Sequence, residues 1–418
     1  MTKSPHCCAV VAGILACWVC GVSYAADTTE FVNSINETFS GGKLLLQVRP
    51  RVELVDQDGT PERAQAFTVR TLLGWETKPY YGFSVTAQAI DVARIGEKNY
   101  NDDAAQAASS RFPLVADPRN TDSNQLFLDY TGLPKTRFRL GKQSIKLDNV
   151  RFIGNVEFRQ VMQVFTGLSV ENKSIANTEL YFAHLARVKD IFAKQRETKI
   201  EILRGVYRWT PNDVLVAYGY LQDDPQLVGA TAGVKELSNR IIGLRADGEH
   251  PFGEHFRLLY TAEYAKQNDY AGGDSVINAN YYHFGVGPKW DDWFIRLDYE
   301  KLGSNDGQYA FQTPLGTNHV FQGWADLFLT TPKQGIRDTF LVFGTKFGAL
   351  QIGGEYHRYH SDVGGIKFGK ELDIGVSYAF TKKLAGKVEY ADFREGDILA
   401  AQRRRDTTKI WFTLTYNH

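Results

Sequence analysis

From Lys43 onward most of this chain is made of short runs in which apolar and polar residues alternate with a period of two. Leu46, Val48, Val52 and Leu54 alternate with Gln47, Arg49, Arg51 and Glu53. Phe67, Val69, Thr71, Leu73 and Trp75 alternate with Thr68, Arg70 and Leu72, and the pattern is kept to Ile410, Phe412, Leu414 and Tyr416. An extended strand points successive side chains to opposite faces, so each run is a strand with one apolar and one polar face. The runs are roughly ten residues long, which is what a tilted strand needs to cross a bilayer, and about eighteen of them fit in the chain. No stretch after residue 25 offers the roughly eighteen consecutive apolar residues of a membrane helix.

The connections alternate too. "TKPYYG", "LPK", "TPND", "WDDW", "FGAL" and "FTKKL" are short, and those between them are longer, notably Arg94 to Asn124 and Gly303 to Arg337. Short turns at one end and long loops at the other predict an all-β fold, a transmembrane antiparallel β-barrel. Alternation alone does not say which face is inside, because a soluble barrel has the same period. Three features decide. The polar face is rich in arginines and acids that cannot fill a dry core. Trp75, Trp209, Trp290 and Trp293 gather beside the short turns, as an aromatic girdle at one membrane interface would. The chain also opens on Lys3, an apolar core from Cys7 to Val22, and small residues at Ser23 and Ala25, which reads as a secretory signal cleaved after Ala25.

The predicted organisation is a signal over 1–25, a short periplasmic segment over 26–42 and a barrel over 43–418, in the outer membrane of a Gram-negative cell. A short helix is expected where Phe31, Val32, Ile35 and Phe39 share a face before Gly41–Gly42. The four cysteines, Cys7, Cys8, Cys17 and Cys20, all precede the cleavage point, so the mature chain has no thiol chemistry. The 48 basic and 48 acidic side chains become 47 − 48 = −1 once Lys3 is removed, which argues against a nucleic-acid binder.

If the apolar faces meet lipid, the others line a lumen. The arginines on that face are Arg49, Arg51, Arg70, Arg137, Arg139, Arg204, Arg208, Arg245, Arg257 and Arg296, and the acids include Glu53, Asp129, Asp247, Glu263, Asp298, Glu355 and Glu389. Guanidinium groups suit carboxylate and phosphate, and in a narrow pore they concentrate anions. The plainer reading is that arginines and acids pair across the lumen and brace the wall. A barrel enzyme is the alternative class, but His357 and His360 in "YHRYH" form no metal motif and read as the outer end of a strand, and no GxSxG is present. No cofactor or metal is implied.

"VELVDQDG", "FTVRTLLGWET", "LVADPRNTDSNQLFLDY", "LGKQSIKLDNVRFIGNVEFRQ" and "FQTPLGTNHVFQGWADLFLTTPKQG" resemble the alginate-export family of outer-membrane channels, along nearly the whole mature chain. The resemblance implies an eighteen-stranded monomeric barrel with an electropositive channel. It places Arg70 in the "TxRTxLG" strand and Lys142 where many relatives have arginine, with Arg151 in a loop able to fold into the mouth. Strand parity would set Lys142 with lipid-facing Leu140 unless a bulge turns it inward. The long periplasmic plugging loop of the alginate exporter has no counterpart here. The expectation is therefore a passive channel for small anionic solutes, with export of an anionic polysaccharide as the second reading.

The Phe311–Gly335 stretch breaks the alternation and carries Pro314, Pro332, Phe321, Trp324 and Phe328. It is expected to pack as a compact insert that narrows the pore. Trp324 would bury against the barrel mouth, and His319 and Asp326 would bond lumen arginines.

Overall fold

The computed structural model describes residues 34, 36–106, 110–227, 234–397 and 405–418. The predicted signal and all four cysteines lie outside them, as do Phe31, Val32 and Ile35. The first nine strands are β1 (Lys43–Gln57), β2 (Ala64–Glu76), β3 (Phe83–Arg94), β4 (Asn120–Tyr130), β5 (Thr136–Gln143), β6 (Val164–Asn172), β7 (Thr178–Lys189), β8 (Gln195–Thr210) and β9 (Asp213–Asp223). Next come β10 (Asn239–Pro251), β11 (Phe256–Asp269), β12 (Asn278–Trp290) and β13 (Trp293–Leu302). Two short strands, β14 (Ser304–Asn305) and β15 (Tyr309–Ala310), pair with each other inside the next loop. The chain ends with β16 (Ile336–Phe347), β17 (Leu350–His360), β18 (Lys367–Ala379), β19 (Leu384–Glu395) and β20 (Thr407–Asn417).

All but β14 and β15 form one 18-stranded antiparallel sheet, closed where β1 pairs with both β2 and β20. Closure gives every strand two neighbours and leaves no unpaired edge, the condition for crossing hydrocarbon with strands. The two ends differ as expected, with short turns at one and the long connections 95–119, 144–163, 224–238 and 303–335 at the other.

The outer face is apolar. Leu126, Leu140, Leu203, Ile242, Phe284, Val286 and Leu297 are all exposed, whereas on β1 and β2 the intervening Arg49, Arg51, Thr68 and Arg70 are buried. An apolar belt turned outward around a polar-faced interior is the lipid-facing band of a membrane barrel. Trp209, Trp290 and Trp293 are exposed beside the short turns. Trp75 instead donates its Nε1–H to the Phe39 carbonyl at 2.9 Å, and residues 36–40 are helical, so the short helix is docked on the turn end of β2.

The interior is not a uniform polar lumen. Inward-facing Ala183, Leu185, Ile200 and Ile202 of β7 and β8 are fully buried. They belong to one apolar cluster with Ile145, Phe152 and Ile153 from loop 144–163 and Phe311, Leu315 and Phe328 from loop 303–335. Phe152 lies 5.2 Å from Tyr281 and 5.8 Å from Phe311, ring centre to ring centre. Both loops therefore fold into the barrel and dry one side of it, and the strands beneath them carry apolar residues inward for that reason.

Candidate functional site: the lumen constriction

The two inserted loops hold each other by main-chain contacts. Gly154 N–H donates to the Leu315 carbonyl at 2.9 Å and Thr317 N–H to the Val150 carbonyl at 2.9 Å, while Gln163 Nε2 donates to both Gly154 and Leu315 carbonyls. What they meet on the wall differs from place to place.

On β1 and β2 they meet arginine. Arg49 faces Arg70 directly across the pair, and Arg51 faces Thr68. Like charges placed opposite each other are unfavourable, so something must offset them. Main-chain carbonyls of loop 144–163 do. Arg49 donates to the Glu157, Phe158 and Arg159 carbonyls at 2.8, 3.1 and 2.6 Å, and to Gln160 Oε1 at 3.1 Å. Arg70 donates to the Arg159 carbonyl at 3.2 Å and to Gln47. Arg51 donates to Thr413 Oγ1 at 3.1 Å and lies over the Phe158 ring at 4.3 Å. Among the described residues, no carboxylate forms an ion pair with any of the three. Arg51 Nη1 and Arg70 Nε are buried with no hydrogen-bond acceptor. Carbonyl oxygens accept from Arg49 and Arg70 without cancelling their charge.

One residue along, the loops make a compact ion cluster. Arg159 bonds Glu53 of β1 at 3.0 Å and Asp326 at 2.6 Å. Asp326 also takes His319 Nδ1 at 2.8 Å and Lys409 of β20 at 3.5 Å. Burial opposes the charge on Asp326, but His319, Lys409 and Arg159 outweigh it and hold the carboxyl well below the usual range. Burial likewise works against the Arg159 guanidinium, and Glu53 and Asp326 more than reverse it. Farther round, Arg151 bonds Glu300 of β13 at 2.9 Å and Gln322 Oε1 at 2.9 Å. The Trp324 N–H donates to Asp373 Oδ2 at 3.3 Å and the Ala325 N–H to Glu371 Oε1 at 2.6 Å, both on β18. Trp324 sits over Gly375 and, with Lys289, Lys346 and Lys387, lines a cavity of about 470 Å³. It is thus inside the lumen and not at the mouth.

Six of the seven remaining arginines of the sequence reading are spread round the wall and paired, whereas Arg208 is exposed at the turn end of β8. Arg139 grips Asp129 with two bonds of 2.7 and 2.8 Å, Arg137 pairs with Glu171 at 2.6 Å, and Arg245 pairs with Asp247 at 3.0 Å. Arg257 pairs with Glu249 at 3.1 Å, Arg296 with Asp298 at 2.7 Å, and Arg204 with Asp148 and Glu179. These are bracing contacts. Lys142 stands opposite Leu126, the outward parity, and its ammonium is held by Asp122 at 3.3 Å, a carboxylate shared with Lys189. It does not join the arginine group. Asp326 reaches an arginine from the partner loop, Arg159, and not one from a strand, while His319 bonds Asp326, stacks on Phe158 and bonds no arginine among the described residues.

Sequence reasoning missed Arg159, Gln160 and Lys409. The signal for the first two was present, since "EFRQ" lies in a connection that had already lost the strand alternation. The placement of His357 was wrong. It is not an interfacial residue at a strand end but is fully buried, facing inward among carboxylates of β16, β17 and β18. Its parity in β17, two residues from Glu355, already assigned it to the inner face.

No family model matches this chain, and no curated protein does. Solved structures share its fold. OccAB2 of Acinetobacter baumannii superposes with a TM-score of 0.70 at 15% identity, over 91% of this chain and 99% of that one. OccK9 (OpdG) of Pseudomonas aeruginosa gives 0.69 at 13%, over 91% and 99%. The Pseudomonas aeruginosa outer membrane protein OpdK, also solved with vanillate, gives 0.68 at 12% identity in that complex, over 91% and 99%.

Proposed function

We propose that this chain is a passive channel of the Gram-negative outer membrane for small organic anions. The observation that carries the reading is the group of Arg49, Arg51 and Arg70. Three buried guanidinium groups converge without a carboxylate partner, beside the point where loop 144–163 narrows the lumen, and two of their N–H groups are unused. By contrast Arg137, Arg139, Arg204, Arg245, Arg257 and Arg296 are each paired with a neighbouring acid. A carboxylate or phosphate passing this point would feel the positive potential of the three guanidinium groups, which stay buried behind the loop, so it would be attracted without being tightly held. The likeness in fold to OpdK, which has been solved with a small aromatic carboxylate, supports the same class of solute.

Export of an anionic polysaccharide, which the alginate-export resemblance suggests, is less well supported. Loops 144–163 and 303–335 are pinned to each other and to the wall by buried bonds, so a polymer would need them displaced together. An enzymatic role has no nucleophile–base pair behind it among the groups described at the constriction.

The test is reversal potential in planar bilayers under a potassium chloride gradient. Wild type should prefer chloride, and small aromatic carboxylates should block the current more than oligouronates of equal charge do. R51Q and R70Q should each lower the anion preference, whereas R139Q, whose parent side chain is fully occupied by Asp129, should change it little. Cation preference in the wild type, or equal effects of all three substitutions, would remove the arginine group as the selectivity element.

A further inference from the structure

The wall formed by β16, β17 and β18 carries a second cluster that the channel reading does not use. Register places Glu355 opposite Asp373 and His357 opposite Glu371 across β17 and β18. Asp338 comes from β16. His357 Nδ1 lies 2.8 Å from Asp338 Oδ2, while its Nε2 lies 3.0 Å from Glu355 Oε2 and 3.8 Å from Asp373 Oδ2. One donor atom each from Glu355, His357 and Asp373 falls within 4.8 Å of the others. Zinc bonds of about 2.0–2.2 Å in a tetrahedron set their ligands about 3.3 Å apart, between the two Nε2 separations seen here.

Charge is the second argument. Asp338, Glu355, Glu371 and Asp373 face a single imidazole, and among the described residues no lysine or arginine forms an ion pair with any of them. Asp338 and Asp373 are fully buried, and each has an Oδ1 with no donor. Buried carboxylates are stable only when paired, protonated or bound to a cation.

We propose that Glu355, His357 and Asp373 bind one divalent transition-metal ion, with zinc the best match to an imidazole nitrogen and two carboxylate oxygens. His357 would bind through Nε2, and its Nδ1–H would donate to Asp338, the contact that fixes tautomer and ring orientation in metal-bound histidines. Glu355 also lines the cavity beneath Trp324, which gives an ion a way in. Because the Trp324 and Ala325 N–H groups rest on Asp373 and Glu371, the ion would sit under the inner end of loop 303–335 and tie it to the wall. The proposal does not depend on which solute the channel carries.

The test uses untagged protein refolded without lipopolysaccharide, stripped with chelator and dialysed against zinc chloride. Wild type should retain one zinc per chain. E355Q, D373N and H357A should each lower affinity at least tenfold, and D338N should weaken it about tenfold to a hundredfold. The folded state of each variant is read from its unheated gel mobility. No zinc on the wild type, or full zinc on folded E355Q and D373N, would overturn the site. If variants do not fold, X-ray absorption at the zinc edge of loaded wild type decides. One nitrogen with oxygen donors is expected, and an all-oxygen shell would refute it.

Discussion

Asp326 shows how one side chain can set the geometry of the constriction. It is buried, belongs to loop 303–335 and joins Arg159 of the other loop to Lys409 of the wall. Its carboxyl is held below the ordinary value of about 3.9. A depressed folded-state value adds stability that is complete above the unfolded value and is lost only as pH falls through the folded one. The cluster should therefore stay intact from neutrality down to about pH 4 and loosen below that. Asp326→Asn removes the charge at every pH. Arg159 keeps Glu53, but the buried Lys409 loses the one carboxylate that pairs with it among the described residues, so the loss should be about 3–5 kcal/mol. The variant should show a lower unfolding midpoint at pH 7 and noisier single-channel current. A wild-type midpoint that already falls between pH 7 and pH 5 in step with loop opening would contradict this account.

At the scale of strands and loops, two positions one residue apart separate what the alternation states from what it leaves out. Leu203 of β8 is more than half exposed on the outer face, and Ile202 beside it is fully buried on the inner one. Leu203→Arg puts a charge into lipid and should cost about 2–4 kcal/mol in reversible unfolding from bilayers. Ile202→Ala would cost little in a water-filled lumen, but here it leaves a cavity against the inserted loops and should cost about 2–4 kcal/mol. The sequence made Leu203 readable because strand parity is local and repeats at every turn. It could not make the surroundings of Ile202 readable, since they depend on loops that arrive from 144–163 and 303–335 and have no period. The same holds for the site. Arg49, Arg51 and Arg70 were legible as inward cations, yet their lack of carboxylate partners is a matter of which residues the fold brings opposite. Arg137, Arg139 and Arg296 had identical credentials and turned out to be paired.

For the whole molecule, the closed sheet and the inserted loops divide the work. Closure of β1 on β20 fixes the diameter and is independent of loop 303–335, whose contacts are mostly inside the lumen. That loop has a narrow neck. Gln312 Nε2 donates to the Thr331 carbonyl at 2.9 Å, and the Thr331 N–H donates back to Gln312 Oε1 at 3.1 Å. Residues 313–330 can therefore be replaced by a short glycine–serine bridge without straining the ends. The variant should fold, because lipid-facing residues and every strand pairing remain. Its single-channel conductance should rise several-fold, since Pro314, Trp324 and Asp326 leave the lumen together. Arg49 and Arg70 stay on the wall, and loop 144–163 keeps its bonds to them, so anion preference should fall less than conductance rises. If preference vanishes while R51Q and R70Q each leave it intact, selectivity belongs to the inserted loop. If conductance does not change, the narrowest point lies at loop 144–163, where Arg49 and Arg70 hold the main chain against the wall.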